Sequence, residues 1–402
     1  MPSTALRTST LAARLTWATL LGAGATLAGC GSSSGKSPGN PAASASAGGA
    51  FDVGSGGALA GGAPGAGGAA SGGSGTGGTL SSGGAASEDA STGGAAGADA
   101  GTPEDGGEDL WVQGPPVRPP TKIRCITDVE TEEQPQVPCD GISFDLTIPP
   151  RCLTTECGMI FDVHGGTMSG AMEEKNTRLS ELGKKYGYIV VHPNAFAGLW
   201  SYGVDDPKVL QFMLDMRDAF HVDPKRIHMT GLSQGGYMTW RFVCQHGDLL
   251  ASAAPAAAAG AANISIEVGC TFTGQDVPSG EMDVLYMHGE FDGLVNYPNA
   301  VTLRDAVTAF WKTDAGTKIA GDGTYERTRF TEPGGHVFEF LKHEYQSPSA
   351  IATVAIKGHC FPGSPDQSVT LPGQLMSFGC TPPNSFDWGE EVMKFFVAHP
   401  KR

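Results

Sequence analysis

Residues 227–237 read IHMTGLSQGGY, and the fold of the chain turns on whether Ser233 in that stretch is a nucleophile or a polar residue in a glycine-rich turn. The expression G-x-S-x-G does not decide, because 59 glycines in 402 residues make chance matches common. Gly31-Ser-Ser-Ser-Gly35 is one such match, in a low-complexity run with no apolar strand before it and no helical pattern after it. Context separates the two. Around Ser233, Arg226-Ile-His-Met-Thr230 has the composition of a buried strand, Gly231-Leu-Ser-Gln-Gly235 is a turn, and Gly236-Tyr-Met-Thr-Trp-Arg-Phe-Val243 opens a helix. That order is the pattern of a nucleophile elbow, whose sharp turn brings strand and helix so close that only glycine fits two residues either side of the serine. The serine also stands at a helix N-terminus, where free N–H groups favour developing negative charge.

A serine hydroxyl at neutral pH needs a base, and the base needs an acid to orient it. The strand Asp283-Val-Leu-Tyr-Met287 leads into Glu290-Phe-Asp-Gly-Leu-Val295, so Asp292 falls just beyond a strand's carboxyl end. Glu290 is its nearest competitor, and Asp283 lies at the wrong end of the strand. Two histidines compete for the base. Ala352-Thr-Val-Ala-Ile356 reads as a strand running into Gly358-His359, whereas His336 precedes its own apolar run VFEFL, so His359 is the expected base. His164, His192, His228 and His288 lie inside or at the ends of strands and are expected to be structural. Two amides would serve the oxyanion, that of Gln234 and that of Gly166 in the turn His164-Gly-Gly-Thr167.

Strands are further expected at 143–148, 158–163, 188–191 and 226–229. Helices are expected at 173–186, 234–245, 299–311 and 388–397, and at 207–220 with Asp206 as cap. Val209, Phe212, Met213, Met216 and Phe220 recur at helical spacing and read as a core face. Strands alternating with helices predict an α/β domain with a mostly parallel sheet covered on both faces.

This domain is expected to span residues 121–402. Residues 1–30 carry Arg7 and Arg14 ahead of LTWATLLGAGATLAG, too short for a stable spanning helix, and read as a secretory signal. The run ends Leu27-Ala-Gly-Cys30 and resembles the lipobox of bacterial lipoproteins, in which Cys30 becomes the acylated terminus. Residues 31–120, rich in Gly, Ala and Ser, cannot bury enough apolar area to offset chain entropy and read as a flexible tether, stiffened at its end by Gly114-Pro-Pro-Val-Arg-Pro-Pro120.

Nine cysteines less Cys30 leave eight, an even set in an exported chain, and proximity pairs 125 with 139, 152 with 157, 244 with 270 and 360 with 380. A net charge of −16 argues against nucleic acid and against direct binding to an anionic membrane, leaving a lipid anchor at Cys30 as the expected membrane contact. No cysteine or histidine spacing supports a zinc site, and no metal or organic cofactor is expected.

At these residues the chain resembles the α/β-hydrolase lineage of polyhydroxybutyrate depolymerases and feruloyl or acetylxylan esterases. The shared stretches are HGG at 164, VDD at 204, DPKRIHMTGLSQGG at 223, HGEFDGLVNY at 288 and GHCFPG at 358. The resemblance implies an α/β-hydrolase fold with Ser233, Asp292 and His359 as nucleophile, acid and base, an oxyanion position near Gly166, and substrate-side aromatics at Trp200 and Phe361. Tannase-like relatives carry a Cys before the serine bonded to one after the histidine; here Cys360 meets the second half, but Leu232 occupies the first. The expected activity is serine carboxylic-ester hydrolysis through an acyl-enzyme, outside the cytoplasm, on polyhydroxyalkanoate, feruloyl or acetyl-polysaccharide esters. A peptidase of the same fold and a non-catalytic surface-binding lipoprotein are the alternatives.

Overall fold

Alternate residues of β3 (Gly158–Val163) enter two different cores: Met159, Phe161 and Val163 pack into one and Ile160 into the other. The same period of two runs through β4 (Tyr188–Asn194), with Ile189 and Val191 against Tyr188 and Val190, and through β7 (Asp283–Gly289), with Val284 and Tyr286 against Leu285 and Met287. Strands apolar on both faces belong in the middle of a sheet covered on both sides.

The computed structural model describes residues 114–259, 270, 272, 277–351, 353–366 and 377–402. The expected signal, Cys30 and the tether up to residue 113 lie outside the described residues. The strands completing the sheet are β1 (Glu133–Cys139), β2 (Ile142–Thr147), β5 (Ile227–Leu232), β6 (Ser252–Ala256), β8 (Thr317–Gly321), β9 (Tyr325–Thr331) and β10 (Val337–His343). Their order across the ten-stranded sheet is β1-β2-β4-β3-β5-β6-β7-β10-β9-β8. From β4 to β10 neighbours run parallel, and antiparallel strands finish each edge.

One face is covered by α3 (Asp206–Phe220), α4 (Gln234–His246) and α5 (Tyr297–Trp311), the other by α2 (Leu179–Tyr186) and α6 (Trp388–Ala398). The Val209, Phe212, Met213, Met216 stripe of α3 is core, with Phe212 stacked 3.7 Å from Phe144. Among the described residues no helix is long and apolar enough to cross a membrane. The structure forms the four expected disulfides, 125–139, 152–157, 244–270 and 360–380.

Four local expectations change. The helix expected at 173–186 is two helices, α1 (Gly170–Thr177) and α2, because Arg178 turns left-handed at φ 54°. The break sits where α6 crosses the end of α1: a Cβ on Gly389 would stand 1.7 Å from the Thr177 carbonyl oxygen. Arg178 Nη2 secures the junction at 2.7 Å from Asp387 Oδ2. Asp206 does not cap α3; its Oδ1 accepts from Arg241 Nε at 2.6 Å and Oδ2 accepts from the Gly203 amide, tying the approach to α3 onto α4.

The strand expected at 352–356 is outside the sheet. Val354–Lys357 (β12) pairs antiparallel with Ser347–Ile351 (β11) in a separate ribbon, and Thr353, Val354 and Ala355 are exposed. The sheet position next to β7 belongs instead to β10, whose VFEFL core is interrupted by Glu339. That carboxylate is wholly buried and accepts from Arg329 Nε at 2.6 Å and Arg327 Nε at 2.5 Å on β9. Finally, the domain begins before residue 121: Glu156 N donates to Pro115 O at 2.9 Å and Val117 N to Thr154 O at 3.0 Å.

Candidate active site

Ser233 joins β5 to α4 with φ 53° and ψ −116°, a left-sided conformation that a side chain adopts only when its surroundings impose it. The surroundings are glycines. A Cβ on Gly235 would stand 1.7 Å from the Val163 carbonyl oxygen, one on Gly231 2.4 Å from the same atom, and one on Gly236 2.5 Å from Ala256 O. The serine amide is bonded to Ala256 O at 2.9 Å, and its carbonyl accepts from Tyr237 N at 2.8 Å. The turn thus has the backbone geometry expected of a nucleophile elbow, at the carboxyl end of a central strand. This is an α/β-hydrolase fold.

No protein-family model matches the chain. In sequence, the α/β-hydrolase domain is similar to a bifunctional acetylxylan esterase/xylanase of Neocallimastix patriciarum, 24% identical over 152 residues, or 37% of this chain and 21% of that protein. It is also similar to poly(3-hydroxyalkanoate) depolymerase C of Paucimonas lemoignei, 29% identical over 122 residues, or 27% of this chain and 29% of that protein. The chain therefore spans less than a third of the length of either relative. Among solved structures, acetyl xylan esterase from Aspergillus awamori aligns over 50% of this chain and 87% of that one, with 15% identity and a TM-score of 0.41. The two sequence relatives bear out the resemblance to esterases and depolymerases carried by the motifs.

Asp292 follows β7 and is buried. Its Oδ1 accepts from the amides of Leu294 at 2.8 Å and Val295 at 2.7 Å, which leaves Oδ2 for the imidazole of His359, whose Nδ1 donates at 2.7 Å. Burial by itself would raise this carboxyl, but the charge and hydrogen bond of His359 and the neighbouring His288 ring hold it below the ordinary range. His288 lies beneath the pair, 3.5 Å from Asp292 Oδ2, with Nε2 donating to Val295 O at 2.8 Å and Nδ1 accepting from Tyr286 OH at 3.0 Å. Burial lowers its basicity, as suits a neutral structural ring.

His359 Nε2 is buried and has no hydrogen-bond partner among the described residues. The Ser233 hydroxyl therefore does not bond to it in this conformation, and the structure joins Asp292 to His359 without a contact from His359 to Ser233. Substrate-free sites often hold this contact long and tighten it on binding. Register places both ends at one edge: Leu232 pairs with Ala256 and Ala256 with Met287, so Ser233 and the loop bearing Asp292 leave the sheet two strands apart. The competitors are elsewhere. His336 faces Asp283 at 3.3 Å, at the opposite end of β7, and Glu290 pairs with Lys342.

The turn 164–167 lies against the elbow: a Cβ on Gly165 would be 3.5 Å from Ser233 Cβ, and one on Gly166 3.1 Å from Gln234 Oε1. Neither the Gly166 nor the Gln234 amide is bonded to another described residue. His164, buried and lowered to about 4 by desolvation, is neutral; its Nε2 accepts from Ala195 N at 3.0 Å and its Nδ1 donates to Gly165 O at 2.7 Å.

Trp200 and Phe361 are not at the surface. Trp200, 5% exposed, donates its indole N–H to His164 O at 2.8 Å and its amide to Gln234 Oε1 at 3.1 Å, so it braces the turn against the elbow. Phe361 is wholly buried in the core. The exposed aromatics at this edge are Phe196, 79% exposed beyond β4, and Phe291, 45% exposed beside Asp292. Phe196 borders an open cleft of about 440 Å³ that also touches Met168, Asn194 and Gly198. Position alone did not mark them, since aromatic residues in loops are as often buried. Among the described residues no cluster of His, Cys, Asp or Glu is arranged to hold a metal ion.

Proposed function

We propose that the domain is a serine carboxylic-ester hydrolase working through an acyl-enzyme. The observation that carries this reading is the His359–Asp292 pair at 2.7 Å, whose second ring nitrogen is buried and unpartnered, on the sheet edge where Ser233 sits in its glycine-packed elbow. In the proposed reaction His359 Nε2 takes the Ser233 proton as Oγ attacks the ester carbonyl, and the Gly166 and Gln234 amides hold the oxyanion. The imidazolium then protonates the departing alcohol. Water, deprotonated by the same nitrogen, cleaves the acyl-serine and releases the acid. Asp292 keeps Nδ1 protonated and the ring oriented throughout.

The acidic chain favours uncharged esters, and the acetylxylan esterase and depolymerase relatives support acetyl-polysaccharide and hydroxyalkanoate esters as the substrate class, with feruloyl esters kept on the resemblance of the motifs. Four disulfides support work outside the cytoplasm, with an acylated Cys30 as the proposed anchor. Hydrolysis of p-nitrophenyl acetate and fluorophosphonate labelling, both lost in Ser233→Ala, are the expected results. Equal hydrolysis by Ser233→Ala defeats the reading, and turnover of chromogenic amides but not esters makes the protein a peptidase. Methyl ferulate, acetylated xylan and a polyhydroxybutyrate film discriminate the esters, and fatty-acid labelling lost in Cys30→Ala tests the anchor.

A further inference from the structure

The strand that leads to Asp292 carries a histidine of its own whose ring lies against that carboxylate. His288 on β7 is wholly buried. Its Nε2 stands 2.8 Å from Val295 O and 3.5 Å from Asp292 Oδ2, and its Nδ1 stands 3.0 Å from Tyr286 OH. A carbonyl oxygen only accepts, so Nε2 carries the proton, and the Tyr286 hydroxyl donates to Nδ1. One tautomer of the neutral ring satisfies both contacts; the other would set two acceptors, Nε2 and Val295 O, face to face in a buried site.

That one N–H closes the loop that holds Asp292. Val295 gives its amide to Asp292 Oδ1 at 2.7 Å and receives the His288 proton on its carbonyl, so the turn from Asp292 to Val295 is fastened at both polar groups of its last residue. Oδ2, which accepts from His359 Nδ1 at 2.7 Å, has the positive end of the His288 N–H dipole beside it as well. An apolar side chain of similar volume would fill the same space without burying two polar nitrogens, so packing alone does not call for histidine here. Burial lowers the basicity of the ring and keeps it a neutral donor. The other ionisable groups around it are Tyr286, Asp292 and, beyond Asp292, His359; Tyr297, with ring centroids 6.3 Å apart; and His343 on β10, in register with Gly289.

We propose that His288 is a positioning residue of the Asp292–His359 pair: its Nε2–H, bonded to Val295 O and lying against the Asp292 carboxylate, fixes that carboxylate in the orientation that receives His359. It acts through Asp292. The kinetic consequences rest on the ester-hydrolase reading, but the tautomer and its two contacts do not.

The test uses the full-length protein and p-nitrophenyl acetate, with active sites titrated by a fluorophosphonate. His288→Met, which fills a similar volume without an N–H, should lower kcat per titrated site by about tenfold with KM changed less than about twofold. The low-pH limb of kcat/KM should move up by about 0.5 pH or more, because a carboxylate that loses one donor draws harder on the His359 proton. His288→Gln, whose terminal amide supplies N–H groups near the Nε2 position, should return kcat to within about threefold of the native value and the limb to its native place. A methionine variant with native kcat or an unmoved or lowered limb, or a glutamine variant as impaired as methionine, overturns the positioning role. Nitrogen-15 spectra of histidine-labelled native protein, assigned by the signal lost in His288→Gln, should show a neutral ring protonated on Nε2 at neutral pH. A ring protonated on Nδ1, or an imidazolium, overturns the proposal whether or not the methionine variant folds. Native protein that shows the expected tautomer yet hydrolyses no ester sinks the hydrolase reading and leaves the His288 contacts standing.

Discussion

His359 Nδ1 lies 2.7 Å from Asp292 Oδ2 although the two residues are 67 positions apart in the chain. Backbone lamination holds them there: Gly358 N donates to Phe291 O at 3.1 Å and Gly293 N to Ile356 O at 3.0 Å. A Cβ on Gly289 would stand 2.2 Å from Gly358 O, and one on Gly358 2.7 Å from Asp292 N. Glycines therefore let the β7 loop and the β12 loop lie directly on one another.

That contact makes Asp292→Asn informative. The asparagine carbonyl can still accept from Leu294 and Val295, so the loop should keep its shape, but its NH₂ presents a donor to Nδ1 and favours the wrong tautomer. We expect kcat to fall by about 10³- to 10⁴-fold with little change in melting temperature. Parallel esterase assays and thermal denaturation check it.

Trp200 supplies a second test. Trp200→Phe keeps most of the ring but loses the indole donor to His164 O, so the turn should loosen. We expect about a tenfold drop in kcat with KM nearly unchanged. A rise in KM at constant kcat would instead mark Trp200 as a substrate contact.

The 360–380 disulfide starts at the residue after His359 and closes a loop of sequence separation 20. Replacing both cysteines by serine should destabilise the protein by about 3 kcal/mol. Activity should fall before the fold melts, since the imidazole loop loses its nearest covalent restraint. Activity and circular dichroism followed along one temperature ramp measure the gap.

The pH dependence of stability follows from His192. Burial opposes its charge, but the carboxylates of Asp162 and Glu174, 3.3 and 3.2 Å from its Nε2, outweigh that and raise it from 6.5 to about 10. A folded pKa above the unfolded one means a contribution fully present below about pH 6.5 and lost as pH rises through about 10. Urea unfolding should show native stability declining by a few kcal/mol between those limits, with a much flatter profile in His192→Gln.

The features legible in the sequence are those decided over short chain distances. The strand, turn and helix around Ser233 are adjacent in sequence, and the glycines that make the elbow possible are part of the motif. The disulfides pair consecutive cysteines, so order along the chain points to them. The apolar stripe of α3 is periodic because one helix face meets one core. Flanking apolar runs point to Asp292 and His359, and the pair does meet, although the run before His359 is a ribbon outside the sheet.

What tertiary structure alone decided depends on neighbours that the local pattern does not contain. Arg178 breaks a helix because α6 crosses there, and Glu339 sits in a central strand because two arginines of another strand neutralise it. Trp200 and Phe361 are buried because chain from elsewhere covers them. Local propensity reports what a segment prefers by itself, whereas burial and the state of a proton depend on what is packed against the segment, and the parts of the chain that pack there are far away in sequence.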